Sequence, residues 1–319
     1  MDDRPFALIV AGPTCSGKSA LASGLAGRLD GTVINADAMQ CYRELRVITA
    51  RPTPEEEADV PHRLYGVRPA AEPGDAAWWR GAALAAMAES RAAGRLPILC
   101  GGTGLYFSSL VHGIAAIPEV PDAIRADARR KLAESGPRGV HDALAEVDPT
   151  TAARLRPTDS QRLARAWEVW LATGIGLAAW QAQPTEPAPW RFAVLLLDPP
   201  REALRAAIAG RFAAMLEQGA LEEVRALVAL GLDPALPAMR AHGVPELAAQ
   251  LRGEITLAEA ERRAVLATGQ YTKRQATWFR HRQLVEPSRT HMIHARVAGL
   301  TQFSEREAAQ IISFIRRPG

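Results

Sequence analysis

Short apolar runs alternate with longer stretches of helical spacing through the first third of the chain. Phe6–Ala11, Gly31–Asn35 and Leu96–Cys100 are apolar runs bounded by turn-forming residues, which predicts buried strands. Ala20–Leu29 and Asp75–Ala93 have the spacing of helices, and the second is followed by a glycine that can end it. Strands that alternate with helices in this way predict a parallel sheet covered by helices.

The pattern changes from Pro118 to Trp190, where no strand-like run occurs and arginine-rich helical segments dominate. The predicted helices there are Asp122–Glu134, Val140–Val147 and Thr158–Thr173. A strand returns at Arg191–Asp198, and the remainder of the chain is mostly helical in pattern. We therefore predict an α/β protein whose core comprises residues 1–117 and 191–319, with an all-helical insertion domain at residues 118–190.

The first predicted strand leads into a phosphate-binding sequence. Residues 12–19 read Gly-Pro-Thr-Cys-Ser-Gly-Lys-Ser, which between a strand and a helix is the pattern of a P-loop. The glycines let backbone N–H groups surround a polyphosphate at the start of the helix. Lys18 would neutralise terminal phosphate oxygens, and the Ser19 hydroxyl would hold Mg²⁺. The predicted phosphate-binding residues are Gly12, Pro13, Thr14, Cys15, Ser16, Gly17, Lys18 and Ser19.

Two further segments follow predicted strands, where parallel sheets bind their ligands. Asp37 comes just after the second run, and Thr103 lies within Gly101–Gly104 after the third. Asp37 is either a base that faces the phosphate-bearing ligand or a helix N-cap, and the spacing favours neither. The glycines around Thr103 either let the backbone approach a ligand or form an ordinary tight turn.

Basic residues form two clusters. Arg162 and Arg165 share a helix face, and six Lys/Arg residues with no acid lie between Arg262 and Gln283, among three aromatic residues. The first cluster either grips phosphates or is a solvated basic face. The second either grips phosphates and stacks on bases, or is a helix that buries its aromatic residues and keeps its arginines outside. Arg211 is either a second cation for the phosphate pocket or a surface arginine.

Composition sets the broad class. Hydrophobic residues make up 48% of the chain and charged residues 23%, which is typical of a soluble globular protein. No apolar run approaches the roughly 20 residues that span a bilayer. Three scattered cysteines predict neither a disulfide framework nor a zinc site, and a net charge of +3 says little about nucleic acid. We expect a cytoplasmic protein without a membrane partner.

Taken in order, these segments resemble the tRNA dimethylallyltransferase family. The matching segments are Gly12–Ser19, Asn35–Tyr42, Thr49–Thr53, His62–Gly66, Gly101–Tyr106, Asp159–Arg165, Arg211–Gly219 and Lys273–Arg280. The resemblance implies a P-loop kinase-like fold with a helical insertion. It also implies transfer of a dimethylallyl group from dimethylallyl diphosphate to N6 of the adenosine just 3′ of the anticodon, with release of diphosphate.

The resemblance also implies roles for residues. Asp37 would accept the N6 proton and Thr103 would hydrogen-bond the adenosine, while Lys18, Arg211 and Mg²⁺ near Ser19 would meet the charge on the diphosphate. The partner would be a tRNA anticodon stem-loop, bound by a monomer. The implied tRNA contacts are Asp37, Ala38, Met39, Gln40, Thr103, Arg125, Gln161, Arg162, Leu163, Ala164, Arg165, Lys273 and Arg274.

The chain departs from the family at a few positions, and other functions share its P-loop. Family members commonly have Ala where this chain has Cys15, Ser where it has Ala38, and Arg where it has Gly269. The segment Ala241–Glu246 stands where members commonly have a Gly-Tyr-Lys/Arg segment. A small-molecule kinase is the alternative supported by Asp198, which follows an apolar strand as a Mg²⁺-binding carboxylate would. An adenylate isopentenyltransferase acting on free nucleotide and an ATP-gated RNA-binding module are further alternatives.

Overall fold

The centre of the protein is a parallel sheet with the strand order β3-β2-β4-β1-β5-β6, seen in a computed structural model that describes residues 3–316. The strands are β1 Phe6–Ala11, β2 Gly31–Asn35, β3 His62–Arg63, β4 Leu96–Gly101, β5 Arg191–Leu197 and β6 Thr290–Ile293. Every strand pair is parallel. With helices covering the sheet, this confirms the predicted α/β fold.

Helices connect the strands and make up most of the chain after β5. They are α1 Lys18–Leu29, α2 Pro54–Asp59, α3 Ala76–Ala92, α4 Gly104–Val111, α5 Asp122–Val147, α6 Pro149–Ala152, α7 Ser160–Thr173, α8 Leu177–Gln181, α9 Arg201–Glu217, α10 Ala220–Ala229, α11 Val244–Leu251, α12 Leu257–His281 and α13 Glu305–Arg316. Side chains fix several of their starts: Asp75, Asp159 and Thr256 each accept a hydrogen bond from a backbone N–H in the first turn. Within the described residues no helix is long and apolar enough to cross a membrane.

The chain forms two compact units. One comprises the residues up to Val111 together with those from Ala188 onward, and the other is His112–Pro187. The sequence predicts the insertion at residues 118–190. In the second unit, α5 and α7 bury Val140, Leu144 and Leu163 against each other.

The long helix α5 is interrupted at Gly136, which has φ +66° and ψ 176° and precedes a proline. The sequence predicts two helical segments on either side of this point, and the break separates them as predicted. The strands β3 and β6 were not predicted. Both are edge strands of the sheet, two and four residues long, and neither contains a continuous buried apolar run.

In the first unit, the strands of the sheet centre are buried on both faces. Residues 7–11 of β1 are fully buried, and Leu8 and Val10 pack in one cluster with apolar residues of α1 and α13. A second hydrophobic cluster, formed by α9 to α12 with residues 42–48, lies beside the carboxyl ends of the strands. These two clusters place the P-loop and α12 on either side of one pocket.

Candidate active site

The P-loop joins β1 to α1, and its lysine, Lys18, is the buried first residue of α1. Gly17 precedes α1 with φ +90°, and Cys15 has φ +65°, so two residues of the turn adopt the left-handed region. Lys18 is 91% buried, and its Nζ lies 3.4 Å from the Pro13 carbonyl oxygen. Ser19 is exposed and lines the pocket together with Lys18. The loop therefore presents a cation and a hydroxyl to one space.

The segment after β6 braces the outer side of this loop. Arg296 Nε donates to the Cys15 carbonyl oxygen at 3.1 Å, and the Val297 N–H donates to the Ser16 carbonyl oxygen at 2.9 Å. A Cβ on Gly17 would lie 1.7 Å from the Val297 carbonyl oxygen. Glycine is therefore required at position 17 both for its positive φ and for this close approach.

Asp37 lies between β2 and a short 3₁₀ turn. Its backbone N–H donates to Asn35 Oδ1 at 2.8 Å, and its own Oδ1 accepts from the Met39 N–H at 3.1 Å. Asp37 also lines the pocket that contains Lys18. The carboxylate thus stabilises the turn, as a cap does, and is also placed to act on a ligand.

Thr103 holds the loop that carries Asp37. Its hydroxyl accepts from the Ala38 N–H at 3.1 Å, and its N–H donates to the Ala36 carbonyl oxygen at 3.2 Å. The two loops touch so closely that a Cβ on Gly101 would lie 2.0 Å from that same Ala36 oxygen. Thr103 is absent from the pocket lining. In this structure Thr103 holds the backbone on either side of Asp37 and also hydrogen-bonds to Tyr271, which lines the pocket.

The pocket has a cationic end and an apolar wall. Arg211, on α9, donates from Nη2 to the Thr49 carbonyl oxygen at 3.2 Å, and its Nη1 lies 3.8 Å from Cys15 Sγ. The guanidinium is thereby fixed above the P-loop. The apolar lining residues are Met39, Ile48, Ile208, Phe212, Met215 and Ala241. Such a pocket suits a ligand with a charged phosphate end and a short hydrocarbon end.

Helix α12 closes the pocket with Tyr271, whose ring centroid lies 4.8 Å from that of His242. Burial raises the pKa of the Tyr271 hydroxyl, and the nearby Asp37 charge raises it further. Burial lowers the pKa of His242, so its imidazole is neutral at pH 7. Neither residue was predicted for the pocket. His242 stands in a segment where the chain departs from the family pattern, and Tyr271 is one of the three aromatic residues of the C-terminal basic cluster.

The predicted tRNA-contacting residues on α12 are exposed. Lys273 and Arg274 face solvent, and the Arg274 guanidinium lies 5.6 Å from the centre of the Tyr271 ring. Phe279 is buried on the opposite side of the helix. The basic face is therefore available to a partner, and the same helix also buries aromatic surface as the alternative interpretation requires.

In the second unit the predicted contacts lie on α5 and α7. Arg125, Arg162 and Arg165 each pair with an acid three residues away, at 4.0, 3.4 and 3.3 Å respectively. Gln161 is exposed and Ala164 half-buried. Leu163 is fully buried among the apolar residues of this unit, so its side chain holds α7 in place. The Arg162 side chain is exposed, so its pair with Asp159 is weak and leaves the arginine able to exchange partners, whereas Arg125 and Arg165 are half-buried.

Asp198, the carboxylate that supports the kinase alternative, is engaged elsewhere. Its two oxygens accept from Arg280 Nη2 at 3.0 Å and Nε at 3.3 Å. Asp198 does not line the pocket. A carboxylate held by a bidentate arginine is a poor candidate for the Mg²⁺ ligand of a kinase.

Two protein-family models match this chain. A family model described as IPP transferase matches residues 40–282, and one described as isopentenyl transferase matches residues 6–71. The chain belongs to the IPP transferase family. The resemblance drawn from the motifs is therefore confirmed, and the matched ranges contain the P-loop, Asp37, Thr103 and Arg211.

Relatives of this family align over nearly the whole chain. The tRNA dimethylallyltransferase of Granulibacter bethesdensis is 63% identical over 311 residues, covering 97% of this chain and 98% of the relative. That of Acidiphilium cryptum is 62% identical over 313 residues, covering 98% and 95%.

Solved structures show the same fold. The tRNA isopentenylpyrophosphate transferase of Bacillus halodurans has a TM-score of 0.69 and 29% identity, covering 98% of this chain and 96% of its own. A eukaryotic dimethylallyltransferase acting on tRNA has a TM-score of 0.78 and 25% identity, covering 97% of this chain and 78% of its own.

Proposed function

We propose that this protein transfers the dimethylallyl group of dimethylallyl diphosphate to N6 of the adenosine just 3′ of the anticodon in tRNA. The observation that carries the proposal is that one pocket holds the P-loop lysine, Arg211, the Asp37 carboxylate and an apolar wall. Two relatives that match nearly the full length of this chain are named tRNA dimethylallyltransferase, which supports the same reaction.

The chemistry needs a stabilised leaving group, because the lone pair of adenine N6 is delocalised into the ring. As N6 bonds to the allylic carbon, the carbon–oxygen bond breaks and its electron pair leaves with the diphosphate. Lys18, Arg211 and the P-loop N–H groups meet the charge that grows on the diphosphate. The N6 proton passes to Asp37, and a base so placed contributes about 10²–10⁴-fold to the rate.

The donor set of the pocket fits Mg²⁺. The described residues contain no group of three or more His, Cys, Asp or Glu that could hold a metal by itself. Mg²⁺ is commonly bound by few protein oxygens together with phosphate oxygens, and the exposed Ser19 hydroxyl beside Lys18 supplies such an oxygen. When bound there, Mg²⁺ supplies further positive charge for the leaving diphosphate.

The apolar wall has a chemical purpose in this reaction. The allylic carbon develops cationic character during transfer, so water must be excluded from it. Phe212, Met215 and Ile208 line the pocket beside Arg211 and offer no hydrogen bonds to water. The adenosine must leave the stacked anticodon loop to reach this wall and Asp37.

The tRNA partner is taken to be the anticodon stem-loop, bound by a cytoplasmic monomer. The insertion residues Arg125, Gln161, Arg162 and Arg165, together with Lys273 and Arg274 on α12, are exposed or half-buried basic and polar groups suited to a phosphate backbone. Such contacts would make stem-loop binding depend strongly on salt.

The deciding experiment is a transfer assay. The protein is incubated with Mg²⁺, dimethylallyl diphosphate and an unmodified anticodon stem-loop, and the RNA is weighed by mass spectrometry. We expect a gain of one dimethylallyl group that disappears when the target adenosine is replaced. No gain, accompanied by ATP hydrolysis or phosphoryl transfer, would overturn the proposal in favour of a kinase, and transfer to free adenosine monophosphate alone would favour the adenylate enzyme.

A further inference from the structure

Gln275, on α12, joins two loops of the candidate active site through its side-chain amide. Its Oε1 accepts from the Thr14 backbone N–H at 2.8 Å and from the Thr14 hydroxyl at 3.0 Å. Its Nε2 donates to the Gly102 carbonyl oxygen at 3.0 Å. The residue is 95% buried. Both ends of the amide are therefore used, one on the P-loop and one on the loop that carries Thr103.

The Gln275 side chain packs tightly against the loop that contains Gly102. A Cβ on Gly102 would lie 2.2 Å from Gln275 Nε2, so the loop backbone lies directly against the amide. Tyr271, one turn earlier on the same helix, also hydrogen-bonds to Gln275. Withdrawal of the amide would leave the Gly102 carbonyl and the Thr14 N–H without this partner in a buried place.

The part of α12 around Gln275 also has a side that faces solvent. Lys273 and Arg274, which lie immediately before Gln275, are exposed, whereas Gln275 points into the protein. One helix therefore carries both the exposed basic residues and the buried amide between the loops. The P-loop and the loop that carries Thr103 are thus both hydrogen-bonded to the same side chain of α12.

We propose that Gln275 is a positioning residue that sets the P-loop relative to the loop of Thr103, so that the diphosphate and the adenosine are held at reacting distance. This inference rests on the proposed function for the two ligands. It assigns Gln275 no contact with the reacting atoms. Its effect is exerted through Thr14 on the phosphate side and through Gly102 on the adenosine side.

The variant Gln275→Glu tests the donor half of the amide. A carboxylate of the same shape still accepts from Thr14, but it has no proton to donate to the Gly102 carbonyl oxygen. Protonation restores that donor, and burial raises the pKa of a carboxyl group. Tyr271 is a titratable group that hydrogen-bonds to Gln275, and its raised pKa keeps it neutral throughout the assay range. The atoms of Thr14 and Gly102 that bind the amide do not titrate there.

We expect kcat/KM for dimethylallyl diphosphate, at saturating stem-loop, to fall about 10- to 100-fold in Q275E near pH ~8.5. The ratio of variant to wild type should rise towards one near pH ~6, as the introduced carboxyl binds a proton. Using the ratio removes the pH dependence of the chemical step itself. Gln270→Glu, on the exposed side of the same helix, is the matched control and should show a ratio near one at both pH values.

A ratio for Q275E that stays near one, or a loss that does not change with pH, would overturn the proposal. Circular dichroism and thermal unfolding report whether Q275E folds. If it does not, Gln275→Met, which carries no charge, should bind the stem-loop normally and lose kcat/KM at every pH, and a normal kcat/KM would refute the inference.

Binding of inorganic diphosphate, measured by calorimetry, separates this proposal from the proposed function. Weaker binding by Q275E that recovers at low pH supports Gln275 even if the wild type transfers no dimethylallyl group. Absence of transfer by the wild type would refute the function alone. Equal diphosphate binding by wild type and Q275E, with equal transfer, would refute the role of Gln275 alone.

Discussion

Asp37 accepts a hydrogen bond that stabilises its own turn and also faces the ligand pocket, and two substitutions separate these roles. Asp37→Asn retains an Oδ1 that can accept from the Met39 N–H, now 3.1 Å away, but it no longer has a carboxylate to take a proton. Asp37→Ala removes both. The two variants therefore differ in the capping hydrogen bond and agree in the loss of the base.

The expected magnitudes follow from these contacts. Loss of the base should lower single-turnover transfer by about 10²–10⁴-fold in both variants. Loss of the cap should lower the free energy of unfolding by about 1 kcal/mol in D37A only. That cost should fall at the lower end of its range, because Asn35 holds the same turn independently at 2.8 Å.

The assay is single-turnover transfer to the stem-loop, followed by RNA mass, with urea unfolding and stem-loop binding measured on the same preparations. Affinity for the stem-loop should stay within about tenfold of wild type, since the lost interaction acts in the transition state. Turnover by D37N close to that of wild type would refute proton transfer to Asp37. Equal stability of D37A and wild type would refute the capping role.

Four further outcomes are expected. Asp198→Asn should leave kcat/KM within about fivefold of wild type, because the carboxylate is paired with Arg280 on the surface, whereas a kinase would lose activity; the transfer assay measures this. Gly269→Ala should raise the free energy of unfolding by about 0.5–1 kcal/mol in urea titrations. Alanine favours the helical backbone of α12 more than glycine does, and a Cβ added at this position would have no neighbouring atom within 4 Å. Arg162→Ala should weaken stem-loop binding and reduce its salt slope by about one, with turnover at saturating RNA unchanged. Burial raises the pKa of Cys41 to about 12. Because the unfolded thiol ionises near pH ~8.5, the free energy of unfolding should fall as the pH rises above that value, and Cys41→Ala should show a smaller fall in urea titrations at high pH.

The central strands could be predicted from the sequence because they are buried on both faces. Phe6–Ala11 is β1 to the residue, since a strand covered on both sides is apolar without interruption and ends where turn residues begin. Gly31–Asn35 is β2 to the residue, although Val33 and Ile34 are its only large apolar residues. The edge strands could not be predicted. β3 has two residues and β6 has four, so neither contains enough sequence to show a period, and only the neighbouring strand makes them strands.

Part of the site could be predicted because ligands of parallel sheets bind beyond the carboxyl ends of the strands. Lys18 and Asp37 both follow strands of one parallel sheet, and the structure places them on one pocket, with Arg211 on its far side. Gln275 escaped prediction, because its importance depends on Thr14, which is 261 positions away in the chain. No local pattern distinguishes a glutamine that bridges two loops from one that merely fills a helix face.

The brace on the P-loop has a consequence for the order in which the protein matures on the ribosome. Cys15 and Arg296 are 281 positions apart, yet their hydrogen bond and that between Ser16 and Val297 complete the outer side of the loop. The nascent chain emerges N-terminus first, so its earliest motif must wait for one of its latest segments. A chain that terminates before residue 296 lacks this support, and incomplete translation products should therefore bind inorganic diphosphate more weakly than the full chain.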